Sequence, residues 1–398
     1  MQGQLCSNKI GIEPFCAAER GGIPVQATGA HACCRKGKRM IGYTNSPIMP
    51  GKAKELLALD TKYKEIITYG KIEEWYTAWD GKVYVSFSGG KDSTVLAYLV
   101  ANWLAHFRTP PWTLNLVFVN TGLEYPEVQH FVDSYAAWLR REFPRVTINL
   151  TRLRPKINIR QVVAKYGYSI VSKEVANCVW LARMFGYKSC LARLRGEAVD
   201  KNGNPSRFNC GNWAYLLNAP FLVSSECCKV MKKAPARRYE SETKQKAIIA
   251  TMADEGRRRY TTWLQTGCNA FEGKRPMGKP MSFWTEQDVL RFIVDRQIPI
   301  ASVYGDIVAS DGENDYDATL MDCPLHCTGC QRTGCMFCSL GAHLEKGEKR
   351  FERMKHTHPR HYDFCIGGGE FDPADGLWKP NEKGLGYGRV LDYIGVRY

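Results

Sequence analysis

The sequence has no run of about 18 apolar residues, so it predicts no membrane-spanning helix. Residues 1–40 also contain no apolar signal core followed by a cleavage site, which favours a cytoplasmic protein. In a reducing compartment the 16 cysteines are not expected to form a framework of disulfides. Metal or iron–sulfur ligation is therefore the favoured use of the cysteines.

Acidic residues are the minority charge, since 40 Asp and Glu face 55 Lys and Arg, and the net charge is +15. Such an excess indicates polyanionic partners, which means nucleotides or a nucleic acid. Basic clusters at 152–156, 232–238 and 257–259 could contact DNA or tRNA, and they could equally form solvated surface. Composition leaves both interpretations open.

A phosphate-binding turn follows the apolar run 83–87. Its residues are Ser88, Gly89, Gly90, Lys91, Asp92 and Ser93. A strand that leads through glycines into a helix directs backbone N–H groups and the helix N-terminus at one anion. The turn is not a Walker A loop, which has a longer spacer between its first glycine and its Gly-Lys pair. An ordinary helix N-cap is the alternative interpretation.

Alternating strands and helices predict an α/β protein with a parallel, doubly wound sheet. The pattern indicates helices at 93–107 and 126–143, strands at 114–119, 146–150 and 247–251, and helical structure over 160–195. Ligands of such sheets bind beyond the carboxyl ends of the strands, where Thr121, Gly122 and Glu124 also follow a strand. We expect a poorly ordered tail at 1–45, a nucleotide-binding domain at 46–305 and a cysteine-rich region at 306–398.

Five cysteines within sixteen residues favour a metal centre in the last region. They are Cys323, Cys327, Cys330, Cys335 and Cys338. The two Cys-x-x-Cys pairs among them would supply four sulfur ligands for zinc. Farther upstream, the adjacent pair Cys227 and Cys228 is poorly suited to an internal disulfide.

Several motifs together resemble the phosphoadenosine phosphosulfate reductase family. They lie at 88–93, 120–126, 253–257, 283–289 and 334–338, in the order typical of that family. The hexapeptide itself resembles the PP-loop of ATP pyrophosphatases. The resemblance covers about 82–342 and implies an adenine nucleotide α-hydrolase-like fold. It also implies a 4Fe-4S cluster on Cys227, Cys228, Cys335 and Cys338, with zinc as the alternative metal.

Two departures from that family bear on the activity. The reductases use a nucleophilic cysteine in a C-terminal Glu-Cys-Gly-Leu-His segment, and no such segment follows Cys338, where Cys365 is the remaining cysteine. Their phosphate loop is usually degraded, whereas the loop here is intact. An intact loop suits an enzyme that still binds and cleaves ATP.

The leading expectation is an enzyme that binds ATP or adenylyl sulfate with Mg²⁺ and adenylates an acceptor. The acceptor would then receive sulfur from a sulfur donor or thiol reductant, with help from the iron–sulfur cluster. The expected nucleotide-binding residues are Ser88, Gly89, Gly90, Lys91, Asp92, Ser93, Thr121 and Gly122. The expected catalytic residues are Lys91, Asp92, Ser93, Glu124 and Arg257. The alternatives are a reductase that forms sulfite from a sulfonucleotide and a non-catalytic subunit that binds nucleic acid.

Overall fold

The computed structural model describes residues 43–108, 112–310 and 323–398, and strands alternate with helices from β1 to α6. The strands are β1 (Val83–Ser86), β2 (Thr113–Val119), β3 (Thr147–Leu153), β4 (Ile170–Val171), β5 (Lys246–Ile248), β6 (Asn269–Ala270), β7 (Met277–Gly278), β8 (Ile307–Ala309), β9 (Leu325–Cys327), β10 (Ser339–Leu340), β11 (Glu370–Phe371) and β12 (Trp378–Lys379). The helices are α1 (Pro50–Leu57), α2 (Thr61–Ala78), α3 (Lys91–Phe107), α4 (Pro126–Glu142), α5 (Ile159–Tyr166), α6 (Lys173–Phe185), α7 (Lys188–Arg195), α8 (Glu226–Cys228), α9 (Ala234–Thr243), α10 (Arg257–Thr266), α11 (Glu286–Asp295), α12 (Arg350–Thr357), α13 (Pro359–Ile366) and α14 (Tyr387–Tyr393). None of the helices in these ranges has the length and apolar character that crossing a membrane requires. Residues 1–42 of the tail expected at 1–45 lie outside the described residues.

The main sheet joins six strands in the order β3-β2-β1-β5-β7-β6. Its neighbouring strands are parallel, except that β6 runs antiparallel to β7. Parallel neighbours require crossover connections, which α3 and α4 supply after β1 and β2. The predicted α/β fold with a parallel sheet is confirmed. The helix predicted at 93–107 corresponds to α3, and the strand predicted at 114–119 corresponds to β2.

Two large apolar clusters hold these elements together. The first joins β1, β2, α3, α4 and α11 around the main sheet, and fully buried aromatic rings such as Trp75 and Trp284 belong to it. The second joins α5, α6 and α7 to residues 336–396, with Phe337 and Tyr387 among its members. Burial of apolar area on this scale is a large stabilising term for both parts of the chain. The cysteine-rich C-terminal segment therefore packs against residues 159–231.

The helical structure predicted over 160–195 is confirmed, but it is not one continuous helix. The structure divides this range into α5, α6 and α7 and places the short strand β4 after α5. Gly167 ends α5 with φ of +79°, and a Cβ there would lie 2.1 Å from the Leu222 carbonyl oxygen, so the position requires glycine. The chain then enters β4, which pairs in parallel with β10. A contact with a strand about 170 residues away is not visible in the local pattern.

Candidate functional site

Glycine geometry and two serines shape the loop after β1. Gly89 has φ of +73°, and a Cβ there would lie 2.7 Å from Cγ1 of Val128, so both conformation and packing require glycine. The Ser93 hydroxyl accepts a hydrogen bond from the Ser88 N–H at 3.1 Å and donates one to the Gly90 carbonyl oxygen at 2.9 Å. The two hydroxyl oxygens lie 2.9 Å apart. Gly90 is the N-cap of α3, and the missing side chain leaves that helix end open to an anion.

This loop lines a cavity of about 290 Å³, which we call the loop cavity. Its lining residues are Ser86, Ser88, Gly90, Lys91, Asp92, Ser93, Ile249, Ala250, Thr251, Met252, Glu255, Glu286, Tyr304, Gln331, Arg332 and Thr333. The cavity lies at the carboxyl ends of β1 and β5, which are neighbours in the sheet. From β1 the sheet continues through β2 and β3 on one side, and from β5 it continues through β7 and β6 on the other side. The gap between β1 and β5 is therefore the switch point of the sheet, where the strand order reverses. Ligands of open α/β sheets bind at that position.

Lys91 lies in the wall of the loop cavity with its ammonium group already engaged. Its Nζ donates to Oε1 of Glu286 at 3.1 Å and contacts Sγ of Cys327 at 3.5 Å. The same Nζ lies 5.2 Å from the ring centre of Tyr304, and the Lys91 backbone N–H donates to that tyrosine's hydroxyl at 3.2 Å. Lys91 is only 4% exposed. An incoming phosphate must therefore compete with Glu286 for this lysine.

Charged groups of both signs act on the carboxylate of Asp92, the residue next to Lys91. Burial raises the pKa of Asp92, and Glu286 adds to the rise, whereas Lys91, Arg332 and Arg259 oppose it. The three basic groups thus act on one small, partly buried region. Preorganised cations in such a region stabilise phosphate oxygens better than the same groups in water.

The basic residue predicted after β5 is not part of this lining. Arg257 begins α10, where it is exposed and does not line the loop cavity. Arg259 on the same helix forms an ion pair with Glu255, which does line the cavity. In the sequence, the three consecutive arginines at 257–259 indicated that basic side chains follow β5. Helical periodicity alone does not say which arginine approaches the loop.

Sequence reasoning did not assign several further cavity residues to the site. Among them are Glu286, Tyr304, Arg332 and Thr333. The Tyr304 hydroxyl lies 2.6 Å from the Thr333 hydroxyl, which connects the loop to the segment preceding Cys335. Glu286 lies within the motif at 283–289, and Arg332 and Thr333 directly precede the motif at 334–338, whereas no sequence signal pointed to Tyr304.

Glu124, Thr121 and Gly122 form a compact turn after β2. The Glu124 carboxylate accepts hydrogen bonds from the Thr121 N–H at 3.0 Å and from the Thr121 hydroxyl at 2.8 Å. Its Oε1 also lies 3.7 Å from Nζ of Lys232. Gly122 is exposed, with φ of +74°, and its N–H donates to the side chain of Asn120. Glu124 thus shapes the turn and places a buried negative charge beside Lys232.

A second, larger cavity of about 530 Å³ adjoins the loop cavity. The two share Ser86, Ser88, Ile249 and Thr333. The large cavity is lined by Tyr84, Ser86, Phe87, Ser88, Phe118, Val119, Glu124, Val128, Lys232, Lys233, Ala236, Arg237, Ile249, Arg275, Met277, Thr333 and Gly334. Apolar side chains from the sheet and basic side chains from 232–237 thus face the same space. A ligand with a flat apolar part and negative charges matches this lining.

Two of the four cysteines expected to hold the cluster, Cys227 and Cys335, have thiols whose pKa is raised by the other cysteines of the set. Burial raises the pKa of the Cys227 thiol, and Cys335, Cys228 and Cys338 raise it further. Burial also raises the pKa of Cys335 to about 11, with Lys232 opposing and Cys338 and Cys228 adding to the rise. Residues from α8 and from the loop before β10 are therefore brought together, although more than 100 residues separate them in the chain.

The other Cys-x-x-Cys pair lies in different surroundings. Cys327 is buried beside Lys91, and Cys330 is buried with its Sγ 4.0 Å from Nη1 of Arg353. Zinc ligation by the two Cys-x-x-Cys pairs together stays a prediction. Within 43–108, 112–310 and 323–398, no three His, Cys, Asp or Glu residues are grouped closely enough to hold one metal ion.

Cys365 lies in α13, fully buried in the second apolar cluster. Burial raises the pKa of its thiol well above the ordinary value. A buried thiol with a raised pKa is a poor nucleophile, because the thiolate is the reactive form.

Comparisons with known proteins found one family and several solved structures. A family described as "Phosphoadenosine phosphosulfate reductase domain" matches residues 82–199 and 189–340. Among solved structures, the chain is similar to phosphoadenylyl-sulfate reductase from Candida auris, with 12% identity, a TM-score of 0.32, and coverage of 69% of this chain and 99% of that one. It is also similar to a variant of FMN adenylyltransferase from Candida glabrata, with 14% identity, a TM-score of 0.35, and coverage of 68% and 74%. A tRNA thiolase from Methanococcus maripaludis, solved with its 4Fe-4S cluster, shows 16% identity, a TM-score of 0.31, and coverage of 58% and 64%. No curated protein matches the sequence significantly.

Proposed function

The chain belongs to the phosphoadenosine phosphosulfate reductase domain family, and from this membership we propose that it is an ATP-dependent adenylating enzyme that prepares an acceptor for sulfur transfer. The observation that carries the proposal is that five of the six residues of the Ser88–Ser93 loop, Lys91 among them, line one cavity together with Arg332. The proposed reaction joins an acceptor oxygen to the α-phosphorus of ATP and releases pyrophosphate.

The loop cavity suits the leaving pyrophosphate. Its open helix N-terminus and serine hydroxyls face the same space as Lys91, and Arg259 and Arg332 act on Asp92 next to it. Pyrophosphate gains negative charge as the bond to the α-phosphorus breaks. Fixed cations and N–H groups at that place stabilise the transition state more than the bound substrate.

The large cavity suits the adenosine part of the nucleotide. Phe87, Phe118 and Met277 offer an apolar surface to a purine ring, and the shared wall at Ser88 joins this space to the loop cavity. A volume of about 530 Å³ lies within the range of roughly 300–1,000 Å³ that small-molecule sites occupy. One nucleotide could therefore extend across both cavities.

Carboxylates in the loop cavity fit the Mg²⁺ that accompanies ATP. Asp92 and Glu286 both line the cavity, and carboxylate oxygens are suitable magnesium ligands. The ion would neutralise phosphate charge when bound. Lys91, in turn, would pass from Glu286 to a phosphate oxygen.

Cys227, Cys228, Cys335 and Cys338 fit a 4Fe-4S cluster. Each cysteine of such a cluster binds a different iron, so the thiols need not converge on one point as zinc ligands do. Cys335, Cys228 and Cys338 all raise the pKa of the Cys227 thiol, which supports a common site for the four. The cluster would supply a sulfur or electron relay. Lys232 lies between this group and the buried carboxylate of Glu124 and lines the large cavity.

The burial of Cys365 counts against the reductase alternative. A sulfonucleotide reductase needs a thiolate that reaches the sulfur atom of its substrate. Cys365 has no exposed surface, and burial raises the pKa of its thiol. Adenylation requires no such thiolate.

Binding of a non-cleavable ATP analogue tests the proposal. Lys91→Ala should weaken binding about 10-fold to 100-fold, because a charge-assisted hydrogen bond contributes roughly 1.5–3 kcal/mol. Lys54→Ala on exposed α1 is the matched control and should leave affinity unchanged. Equal binding by Lys91→Ala and the parent protein would remove the loop from the mechanism. Release of sulfite from adenylyl sulfate by the parent protein would favour the reductase instead.

A further inference from the structure

A third cavity lies at the same edge of the sheet, outside the nucleotide site. We call it the edge cavity, and its volume is about 500 Å³. It is lined by Asn120, Pro126, Gln129, His130, Asp133, Arg152, Arg154 and His361. Amide, imidazole and guanidinium groups dominate this lining. Such groups recognise phosphates, riboses and base edges rather than apolar ligands.

The edge cavity and the large cavity are neighbours. Phe118 of β2 and Arg152 of β3 are partners in the sheet register. The Arg152 guanidinium lies over the Phe118 ring, 5.5 Å from its centre, and that ring lines the large cavity. On the other side, Nη2 of Arg238 donates to the Arg154 carbonyl oxygen at 3.3 Å and ties α9 to the end of β3. The two cavities thus open beside one row of basic side chains.

We call this row the basic edge, and it consists of Arg152, Arg154, Lys233 and Arg237. All four are exposed. Arg152 pairs with Asp133, whereas the other three form no ion pair with any residue of the described ranges. Unpaired exposed cations on both sides of a cleft repel one another unless a polyanion neutralises them. One mononucleotide in the nucleotide site would leave the edge cavity and its arginines unused.

We propose that the basic edge binds a single-stranded segment of a folded RNA, with one unpaired nucleotide in the edge cavity. A concave space of this size accepts a splayed nucleotide, whereas a duplex presents a convex surface that could not enter it. The side chains of Asn120, Gln129 and His130 supply donors and acceptors for the 2′-hydroxyl and for a base edge. The backbone then passes Arg154 and reaches the mouth of the large cavity. The role of an RNA nucleotide as the adenylated acceptor rests on the proposed function. The binding of RNA by the basic edge does not.

The test measures binding of a fluorescently labelled RNA stem–loop to the full chain by anisotropy over a range of salt concentrations. Arg152→Gln/Arg154→Gln should lower the affinity about tenfold and reduce the salt slope by roughly 1.4, since each phosphate contact to a single strand contributes about 0.7. Lys54→Gln/Lys62→Gln removes the same charge from exposed positions on α1 and α2 and should retain the affinity. The melting temperature of each variant reports its folding.

Three outcomes would overturn the inference. They are an unchanged affinity of Arg152→Gln/Arg154→Gln, an equal loss in the control variant, and equally tight binding of duplex DNA of the same sequence. RNA binding that survives in Lys91→Ala, while binding of the ATP analogue is lost, would support a separate surface. If the parent protein binds RNA but not ATP, the proposed function fails and the RNA surface remains.

Discussion

Replacing Glu286 with glutamine should strengthen the binding of inorganic pyrophosphate in the absence of Mg²⁺. In the structure Glu286 holds the Lys91 ammonium at 3.1 Å, so a phosphate oxygen must displace this carboxylate before the lysine can reach it. Glu286→Gln keeps the size of the side chain and removes its charge. The phosphate then no longer competes with a carboxylate for the Lys91 ammonium.

The size of the effect follows from the exposure of the pair. Lys91 is 4% exposed, but the Glu286 side chain is 39% exposed, so water and salt screen much of the attraction. Partly exposed ion pairs contribute up to about 1 kcal/mol. If Glu286 no longer competes for Lys91, this free energy corresponds to about fivefold tighter pyrophosphate binding. Added salt should reduce the difference between variant and parent.

Isothermal titration with pyrophosphate and a chelator provides the measurement. Lys91→Met and the double variant Lys91→Met/Glu286→Gln complete a double-mutant cycle, which isolates the coupling between the two side chains. The gain from Glu286→Gln should vanish when Lys91 is absent. A gain that persists in the Lys91→Met background, or no gain at all, would refute the competition between Glu286 and phosphate.

Three other changes give distinct expectations. Gly89→Ala should lower the free energy of unfolding by roughly 1–3 kcal/mol, because positive φ is strained and Cβ would meet Val128 at 2.7 Å; Gly122→Ala, with similar φ and nothing within 4 Å, should cost less in the same thermal melts. Since burial raises the pKa of Asp92 in the folded state, ionisation there costs stability above that pKa, so Asp92→Asn should stabilise the protein at neutral pH. This gain should disappear below about pH 4, where the carboxyl is protonated in both states, and urea unfolding at both pH values checks it. Cys338→Ser should give a protein with less iron, less sulfide and weaker visible absorption after anaerobic purification; an unchanged iron content would exclude Cys338 as a ligand.

The sequence was sufficient to predict the loop and the strands around it. Residues 83–93 combine a strand, glycines and a helix start within one short segment, so local pattern and tertiary role agree. The sheet around them follows from alternating elements and crossover handedness. Glu286 and Tyr304 were not found, because they reach the loop from about 200 residues farther along the chain. Only the packing of α11 and the following turn against α3 brings them there.

The cysteines show the same limit of local pattern. The spacing from Cys327 to Cys330 equals that from Cys335 to Cys338, so sequence alone supported zinc as well as a cluster. In the structure, Cys327 contacts Lys91, whereas Cys335 raises the pKa of the Cys227 thiol. The difference arises from β9 and β10, which pair with β8 and β4 respectively.

The first turn of α11 connects the phosphate loop to the cysteine-rich segment. Gln287 accepts a hydrogen bond from the Leu325 N–H at 2.7 Å and donates one to the Leu325 carbonyl oxygen at 2.8 Å, which holds β9 in place. β9 ends at Cys327, and the residue before Gln287 is Glu286, so one helical turn positions both partners of Lys91. A phosphate that draws Lys91 away leaves both partners without their cation. The proposed nucleotide binding would therefore change the electrostatics around Cys327 through a direct contact of Lys91 and not through a long chain of intermediates.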